Sequence, residues 1–285
     1  MPAGVPLLLV DGHNLLWRAA FGFPAAIMSR DKTRELTAEF GFFALLRVAI
    51  NDEFAEPPEV IVVFDGEHGT ADRKDADSEY KANRVNDESI LKPLRAIPFV
   101  QEGLTAYGIG WIEIETAEAD DVIASLVDKT STDTPKRPVW ILSGDRDFYQ
   151  LLTDDVRVLN TAMKRGRRQI GPEQVFERYD VTPAQWPDFC ALKGDPADNI
   201  AGVRGIGPAT AATLLADGLS LEQLPDSNRL SGRRKTILTE AWPQVLAWRE
   251  LIRMHTDLVL PLRPTGIASP ALPKPAEVIE KLGLW

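Results

Sequence analysis

Short, unbroken apolar runs punctuate the first part of the chain, at residues 7–10, 60–64, 139–142 and 156–159. Runs of that length without polar alternation are the pattern of strands buried on both faces, as in a parallel sheet. A further strand is expected at 109–114. Between these runs the apolar spacing changes to that of helices. Residues 15–20 form one expected helix, and residues 35–50 another, with Phe40, Phe43, Ala44, Leu46 and Val48 among its apolar positions. Pro57-Pro58 breaks the chain before the 60–64 run. The chain re-enters the core at 97–107, and residues 122–127 carry the apolar face of a buried helix. Such alternation predicts an α/β fold with a doubly wound, mostly parallel sheet.

Two stretches depart from this rhythm. Residues 66–96 are polar and hold few core-forming side chains, although they join two elements of a compact unit. Insertions of that length are usually functional or disordered. From Gly171 onward the texture turns helical, with frequent Gly and Pro stops. Thr182-Pro183 fits a helix N-cap followed by proline in the first turn, and Gly194 a C-terminal stop. The chain therefore divides into an α/β part at 1–170 and a helical part at 171–285. The latter ends in a Pro-rich tail at 261–274 and an expected last helix at 276–282.

Polar residues at the ends of the apolar runs supply the chemistry. Asp11 closes the first run, Asp65 the second, and Asp145 and Asp147 follow the 139–142 run. Glu118-Ala119-Asp120-Asp121 opens the helix that continues through 122–127. At about 100° per residue, Glu118 and Asp121 are close neighbours and Asp120 points to another side. Acids in a first helical turn are common, because its free N–H groups carry partial positive charge. Here, however, acids from four elements gather along one edge of one sheet, where α/β proteins build their sites. Like charges in that number repel, and divalent cations are the simplest compensation.

Composition narrows the class. The chain has 285 residues, 44% hydrophobic and 26% charged, as in an ordinary soluble globular protein. Nothing approaches the ~20 apolar residues of a membrane span. The N-terminal apolar run lacks a preceding basic region and ends at once in Asp11, so a strand is expected there rather than a leader. The one cysteine, Cys190, sits in an apolar stretch as an inert buried thiol. Together these features predict a reducing, cytoplasmic location. A net charge of −10 argues against nucleic acid at first sight. Binding depends on local patches, however, and the bases are bunched: Arg73-Lys74, Lys81 to Arg84, Lys164 to Arg168, and Arg233-Arg234-Lys235. Gly205-Ile206-Gly207 before Pro208 adds glycines at a helix start, where backbone N–H groups can approach a phosphate.

Taken in order, Leu9-Val10-Asp11-Gly12, Val63-Phe64-Asp65-Gly66, Tyr80-Lys81-Ala82-Asn83-Arg84, Glu118-Ala119-Asp120-Asp121, Gly144-Asp145-Arg146-Asp147, Gly194-Asp195-Pro196-Ala197-Asp198-Asn199 and Gly205-Ile206-Gly207 resemble the 5′-nuclease family. That family includes flap endonucleases and the N-terminal nuclease domain of bacterial DNA polymerase I, and the likeness runs from about residue 7 to about 260.

The resemblance implies that Asp11, Asp65, Glu118, Asp120, Asp121, Asp145, Asp147, Asp195 and Asp198 hold two or more Mg²⁺ or Mn²⁺ ions, with Asp121 and Asp145 essential to the chemistry. It implies that 66–96 is a helical arch in which Lys81 and Arg84 act at the scissile phosphate, Tyr80 stacks on a base, and Arg73 contacts DNA. By the same likeness Arg18 lies near the 5′ end of the substrate. Gly202, Val203, Gly205 and Gly207 belong to a helix-hairpin-helix gripping duplex backbone, with K⁺ often bound there, and Arg233, Arg234 and Lys235 add duplex contacts. Ala209 stands where relatives often carry lysine, and Ala201 where many carry proline. The implied activity is structure-specific 5′ hydrolysis of DNA, with RNA–DNA hybrid as a further substrate, in replication or repair.

Competing readings are an aspartyl phosphatase, a PIN-type ribonuclease and a non-catalytic junction-binding protein. The first does not explain this many carboxylates beside a duplex-binding hairpin, and the second lacks an arch. The third would be expected to lose metal carboxylates. A dinucleotide fold is excluded because the first strand runs into Asp11-Gly12-His13-Asn14 without a glycine fingerprint.

Overall fold

The structure is a computed structural model that describes residues 4–82, 92–132 and 136–285. Strands β1 (Leu7–Asp11), β2 (Glu59–Phe64), β3 (Gly110–Glu113), β4 (Val139–Leu142), β5 (Val156–Leu159) and β6 (Gln169–Ile170) form one sheet in the order β3-β2-β1-β4-β5-β6. All neighbours are parallel except β5 and β6. The doubly wound sheet expected from the apolar runs is present. Chain order reverses at β1, which pairs with β2 on one side and β4 on the other. In open α/β sheets that reversal opens a crevice beyond the strand C-termini.

Side chains alternate across the sheet, and both faces are buried. Leu8, Val10, Val60, Val62 and Phe64 pack against α1 (Gly12–Gly22), α2 (Thr37–Glu53), α4 (Ile97–Ala106) and α10 (Pro275–Lys281). Within α2 the buried positions are Phe42, Phe43, Leu46 and Ala49, one helical stripe. Val48, expected on that stripe, is exposed because it lies a third of a turn away from it. On the other face Leu7, Leu9, Ile61, Val63 and Ile141 pack against Val122, Ile123 and Leu126 of α5 (Ala119–Thr130).

That second core continues without a break into the helical part. It takes in Trp186 and Phe189 of α7 (Trp186–Lys193), Leu214 and Leu215 of α8 (Pro208–Leu215), and Leu238, Val245 and Ile252 of α9 (Gly232–Ile252). Between α5 and α7 lies the short α6 (Pro172–Tyr179). Thr182 caps the turn into α7, its N–H donating to Gln185 at 2.9 Å, and α7 stops at Gly194 with φ +84°. The tail returns to the sheet. Thr265 and Gly266 donate N–H bonds to Glu59, Ser269 bonds Pro58 and Val60, and α10 packs on α2. Among the described residues no helix is long and apolar enough to cross a membrane.

Glu59 fastens this tail. Its buried carboxylate accepts from Thr265 N at 2.6 Å, Gly266 N at 2.9 Å and Arg137 Nη1 at 2.5 Å. Burial works against its charge, but these donors hold the carboxyl below its ordinary range. Glu59→Ala breaks a buried ion pair and is expected to cost about 3–5 kcal/mol of unfolding free energy, read from the denaturation midpoint. A change under ~1 kcal/mol would show that the tail is held by other contacts.

Candidate metal and nucleic-acid site

The strand ends place the acids. Asp11 terminates β1 and caps α1: its Oδ1 accepts from Asn14 N at 3.0 Å and its Oδ2 from the Ser143 hydroxyl at 2.7 Å. Asp65 follows β2, and its Oδ1 accepts from Ala119 N at 2.7 Å, at the start of α5. His13 Nδ1 accepts from Asp65 N at 3.1 Å, which steadies the turn. Asp145 N donates to Ser143 Oγ at 3.0 Å, and Asp145 Oδ1 in turn accepts from Asp147 N at 2.9 Å. Ser143 thus joins the ends of β1 and β4. Sequence reasoning passed over Ser143, Asn14 and His13. Asp11 followed three residues later by Asn14 does carry an N-cap spacing that could have flagged one of them.

A second contribution comes from the turn after α7. Gly194 and Gly202 cross with backbones so close that a Cβ on Gly202 would stand 2.3 Å from Gly194 N, so the turn demands glycine at both positions. Between them Asp195 and Ile200 exchange backbone bonds, presenting Asp195 and Asp198 toward β4's end. Gly66 has an equal need: a Cβ there would meet Ile114 O at 2.0 Å, because the chain after Asp65 lies flush against the segment leading to Glu118.

The carboxylates fall into two overlapping groups that share Asp145. Asp120 sits with Asp145, Asp11 and Asp65, and Asp147 with Asp145, Asp198 and Asp195. Burial pushes the Asp11 carboxyl up to about 7, reinforced by Asp65 and Asp145 and opposed by Asn14 and Ser143. Burial and then Asp145 push Asp120 and Asp147 well above the ordinary range. Among the described residues, neither the Asp120 nor the Asp147 carboxylate accepts a hydrogen bond or ion pair. Two carboxylates with bare oxygens amid five more acids fit hard divalent cations. Asp11, Asp65, Asp120, Asp145, Asp147, Asp195 and Asp198 are so placed as to hold them.

Glu118 and Asp121 turn away from Asp120, as their helical spacing requires, and meet side-chain cations. Buried Arg73, on α3 (Ala71–Ala76), grips Asp121 with Nη1 at 2.9 Å and Nη2 at 2.8 Å, and reaches Glu118 with Nη1 at 2.7 Å. Its remaining donors go to Leu251 O at 3.0 Å and Arg253 O at 3.1 Å, at the end of α9. His255 N adds a bond to Asp121 at 2.8 Å. Burial opposes the Arg73 charge, yet Asp121 and Glu118 raise its pKa above its ordinary value.

Lys81 is also buried. It pairs with Glu118, lies 3.9 Å from Asp198, and adopts φ +53°; it too is held protonated, by its neighbours Tyr80, Asp198 and Glu118 against the cost of burial. Both cations hold Glu118 ionised although burial alone would raise its carboxyl. The Tyr80 ring is enclosed, with its hydroxyl facing Glu118 and Asp198 at 3.4 and 3.5 Å. So Arg73, Tyr80 and Lys81, expected on DNA, lie against acids here, and Arg84 lies outside the described residues.

The remaining positions line an open surface. Arg18, half-buried, donates to Thr161 at 2.8 Å. Gly202 and Val203 face inward, Val203 N donating to Leu192 O at 2.9 Å. Gly205 (φ +83°) and Gly207, the N-cap of α8, meet no neighbouring atom where a side chain would stand. Arg233, Arg234 and Lys235 are exposed in the first turn of α9 and form no ion pair among the described residues. Cations there oppose the helix dipole, so helix stability does not account for them.

Comparison with known proteins agrees with this geometry. Residues 6–180 match the 5′-3′ exonuclease N-terminal resolvase-like domain, and residues 181–272 the 5′-3′ exonuclease C-terminal SAM fold. DNA polymerase I of Bacillus subtilis is 36% identical over 271 residues, covering 92% of this chain and 29% of the polymerase. A thermostable DNA polymerase I of Thermus thermophilus is 38% identical over 257 residues, covering 89% and 29%. The chain thus spans less than a third of the length of these polymerases. Among solved structures, the T5 D15 protein co-crystallised with metal ions superposes with a TM-score of 0.64 at 25% identity, covering 87% of this chain and 88% of that one. With both of its parts matched in order, the chain belongs to the 5′-3′ exonuclease family.

Proposed function

We propose that the chain is a divalent-metal-dependent, structure-specific 5′ nuclease, a flap endonuclease and 5′-3′ exonuclease that hydrolyses phosphodiester bonds near junctions of single strand and duplex. The observation that carries this reading is the pair of overlapping carboxylate groups sharing Asp145, with bare oxygens on Asp120 and Asp147. Two Mg²⁺ or Mn²⁺ ions bound there, ~4 Å apart, would supply charge stabilisation for both the attacking and the leaving oxygen. The protein's share is to hold the ligands still: Ser143 links Asp11 to Asp145, and the first turn of α5 fixes Asp65. The T5 D15 protein with its metal ions supports the same assignment.

Substrate recognition is read from the surface. Gly205, Gly207 and the Arg233–Lys235 cations suit sequence-independent contact with duplex backbone, with K⁺ at the hairpin. Lys81 would act at the scissile phosphate by exchanging Glu118 for it, and Arg84 would assist. DNA flaps, overhangs and nicked or gapped duplex are the fitting substrates, RNA–DNA hybrid among them, in cytoplasmic replication or repair. A non-catalytic junction binder is disfavoured: it would have no use for a crowded acidic row whose mutual repulsion costs stability.

Three outcomes follow from this reading. Chelation should abolish cleavage of a 5′-labelled flap, and Mg²⁺ or Mn²⁺ should restore it. Asp145→Asn should lower the rate by about 100-fold or more, exceeding the loss of an outer-sphere partner, while metal-free flap affinity holds or improves. Wild-type cleavage by Asp145→Asn would remove the assigned site.

The pH dependence has a definite sign. Asp11 binds its proton more tightly folded (about 7) than in its ordinary range (3.8), so its contribution to stability is full below pH 3.8 and is lost as pH rises through 7. A bound cation removes that loss. The rise in Tm on adding Mn²⁺ should therefore be larger at pH 8 than at pH 5, and an equal or smaller rise would show that these carboxylates do not bind it.

Arg234→Ala should weaken flap binding and reduce the salt slope of log K by about 1, whatever the flap sequence. An unchanged slope in a salt titration would place Arg234 off the duplex.

A further inference from the structure

We infer that the Cys190 thiol joins Asp147 and Asp195 in a site for a thiophilic divalent cation, of the zinc and cadmium class, at the outer end of the acidic row. The inference rests on the metal reading above for the two aspartates and adds a sulfur ligand to it. One ligand atom from each of the three side chains lies within 4.8 Å of the others.

Separate elements bring them together. Asp147 opens the short turn Asp147–Leu151 after β4, Cys190 lies in the last turn of α7, and Asp195 follows the Gly194 stop. Asp147 is the independent sign of a ligand. Its half-buried carboxylate stands among Asp145, Asp198 and Asp195 and faces the Cys190 thiol, yet takes no donor among the described residues. Asp195 keeps one oxygen for Ala197 N, at 3.0 Å, and turns the other toward Lys193 Nζ at 3.6 Å. Lys193 also donates to Gly194 O at 2.8 Å, and its side chain is partly exposed, so it can leave Asp195 when a stronger cation arrives.

The donor set decides the ion. Mg²⁺ demands oxygen ligands in octahedral array and gains nothing from sulfur. Zinc takes cysteine and aspartate together, and three protein ligands leave one position for water or a phosphate oxygen. Cys190 remains a poor nucleophile, because it is fully buried and burial pushes its thiol up. Coordination overcomes that burial: the metal–sulfur bond forms, the S–H bond breaks, and the proton passes to buffer. A thiophilic ion would then outcompete Mg²⁺ at the outer position and replace it with an ion of different geometry.

The chain has one cysteine, so any thiolate–metal signal assigns itself. Titrating the full chain with Cd²⁺ should raise the ultraviolet thiolate-to-cadmium charge-transfer band to saturation at one equivalent. Zn²⁺ should compete the band away, whereas a large excess of Mg²⁺ should not. Cys190→Ser should lack the band, and Asp147→Asn or Asp195→Asn should weaken apparent Cd²⁺ affinity by at least the ~10-fold that a lost outer-sphere partner costs. No band from the wild-type chain at saturating Cd²⁺ overturns the inference without recourse to any variant. So does a band indifferent to both aspartate substitutions, since the thiol would then bind alone. Mg²⁺-dependent flap cleavage by the wild-type chain is measured beside it. Cleavage without the band overturns the sulfur ligand and leaves the nuclease reading intact. The band without cleavage supports the sulfur ligand and removes that reading.

Discussion

Like-charge repulsion at one sheet edge is the constraint to which the rest of the structure answers. The strand ends concentrate Asp11, Asp65, Asp145 and Asp147, and the start of α5 adds Glu118, Asp120 and Asp121. Each buried carboxylate must find a donor, a cation or a proton. Asp11 has Ser143 and Asn14, and Asp65 has the N–H of Ala119 at the positive end of a helix. Glu118 and Asp121 have Arg73 and Lys81. What is left over is Asp120 and Asp147, which among the described residues accept no hydrogen bond, and whose carboxyls burial and Asp145 push up against only the distant pull of Lys81. A site that finds partners for Asp11, Asp65, Glu118 and Asp121 and leaves Asp120 and Asp147 bare is poised for an external cation.

The same compensation joins the two parts of the chain. Arg73 spends its donors on α5 and on the carbonyls of Leu251 and Arg253, while Asp121 accepts from His255 N. The end of α9, whose beginning carries the exposed bases, is therefore fixed to the helix that bears Asp120. With one core running from β1 to Ile252, the exposed bases of α9 and the acids are held at a set separation. Removing Arg73 would leave Glu118 to Lys81 and Asp121 to the His255 N–H alone and loosen that joint, which is why a positional loss and an electrostatic one cannot be separated at this residue.

How much of this the sequence discloses depends on the range of the interaction. Continuous apolar runs announced the parallel strands, and an acid after three of them announced the site. The turn of a helix separated Asp120 from Glu118 and Asp121, and the structure keeps them apart in that way. The inward turn of Arg73, Tyr80 and Lys81 was not legible. A polar stretch with no apolar period resembles a solvated loop, and partners 45 positions away, as between Arg73 and Glu118, leave no local trace. The two residues of β6 are too few to show a period, and the return of the tail to Glu59 is likewise a pairing across distant sequence. Gly202, which the resemblance places in the duplex-binding hairpin, also lies against Gly194 and so shapes the turn that carries Asp195 and Asp198, a contact that local sequence does not show.

Net charge and binding surface part company for a physical reason. The −10 of the chain includes acids gathered at the sheet edge, whose field cations would neutralise, while the bases stand elsewhere. At the hairpin, Ala209 brings no charge and Gly205 and Gly207 bring only open backbone, so the proposed phosphate contact there would be one of hydrogen bonds at close approach. Charge enters separately, through Arg204 on the hairpin itself and through Arg233 to Lys235 at the start of α9, each exposed. Amide donors fix where a phosphate sits, and mobile cations fix how strongly the whole backbone is drawn in. Under the proposed function, dividing the two tasks would let a duplex be held without reading its bases, so that shape alone would decide which phosphodiester reaches the acids.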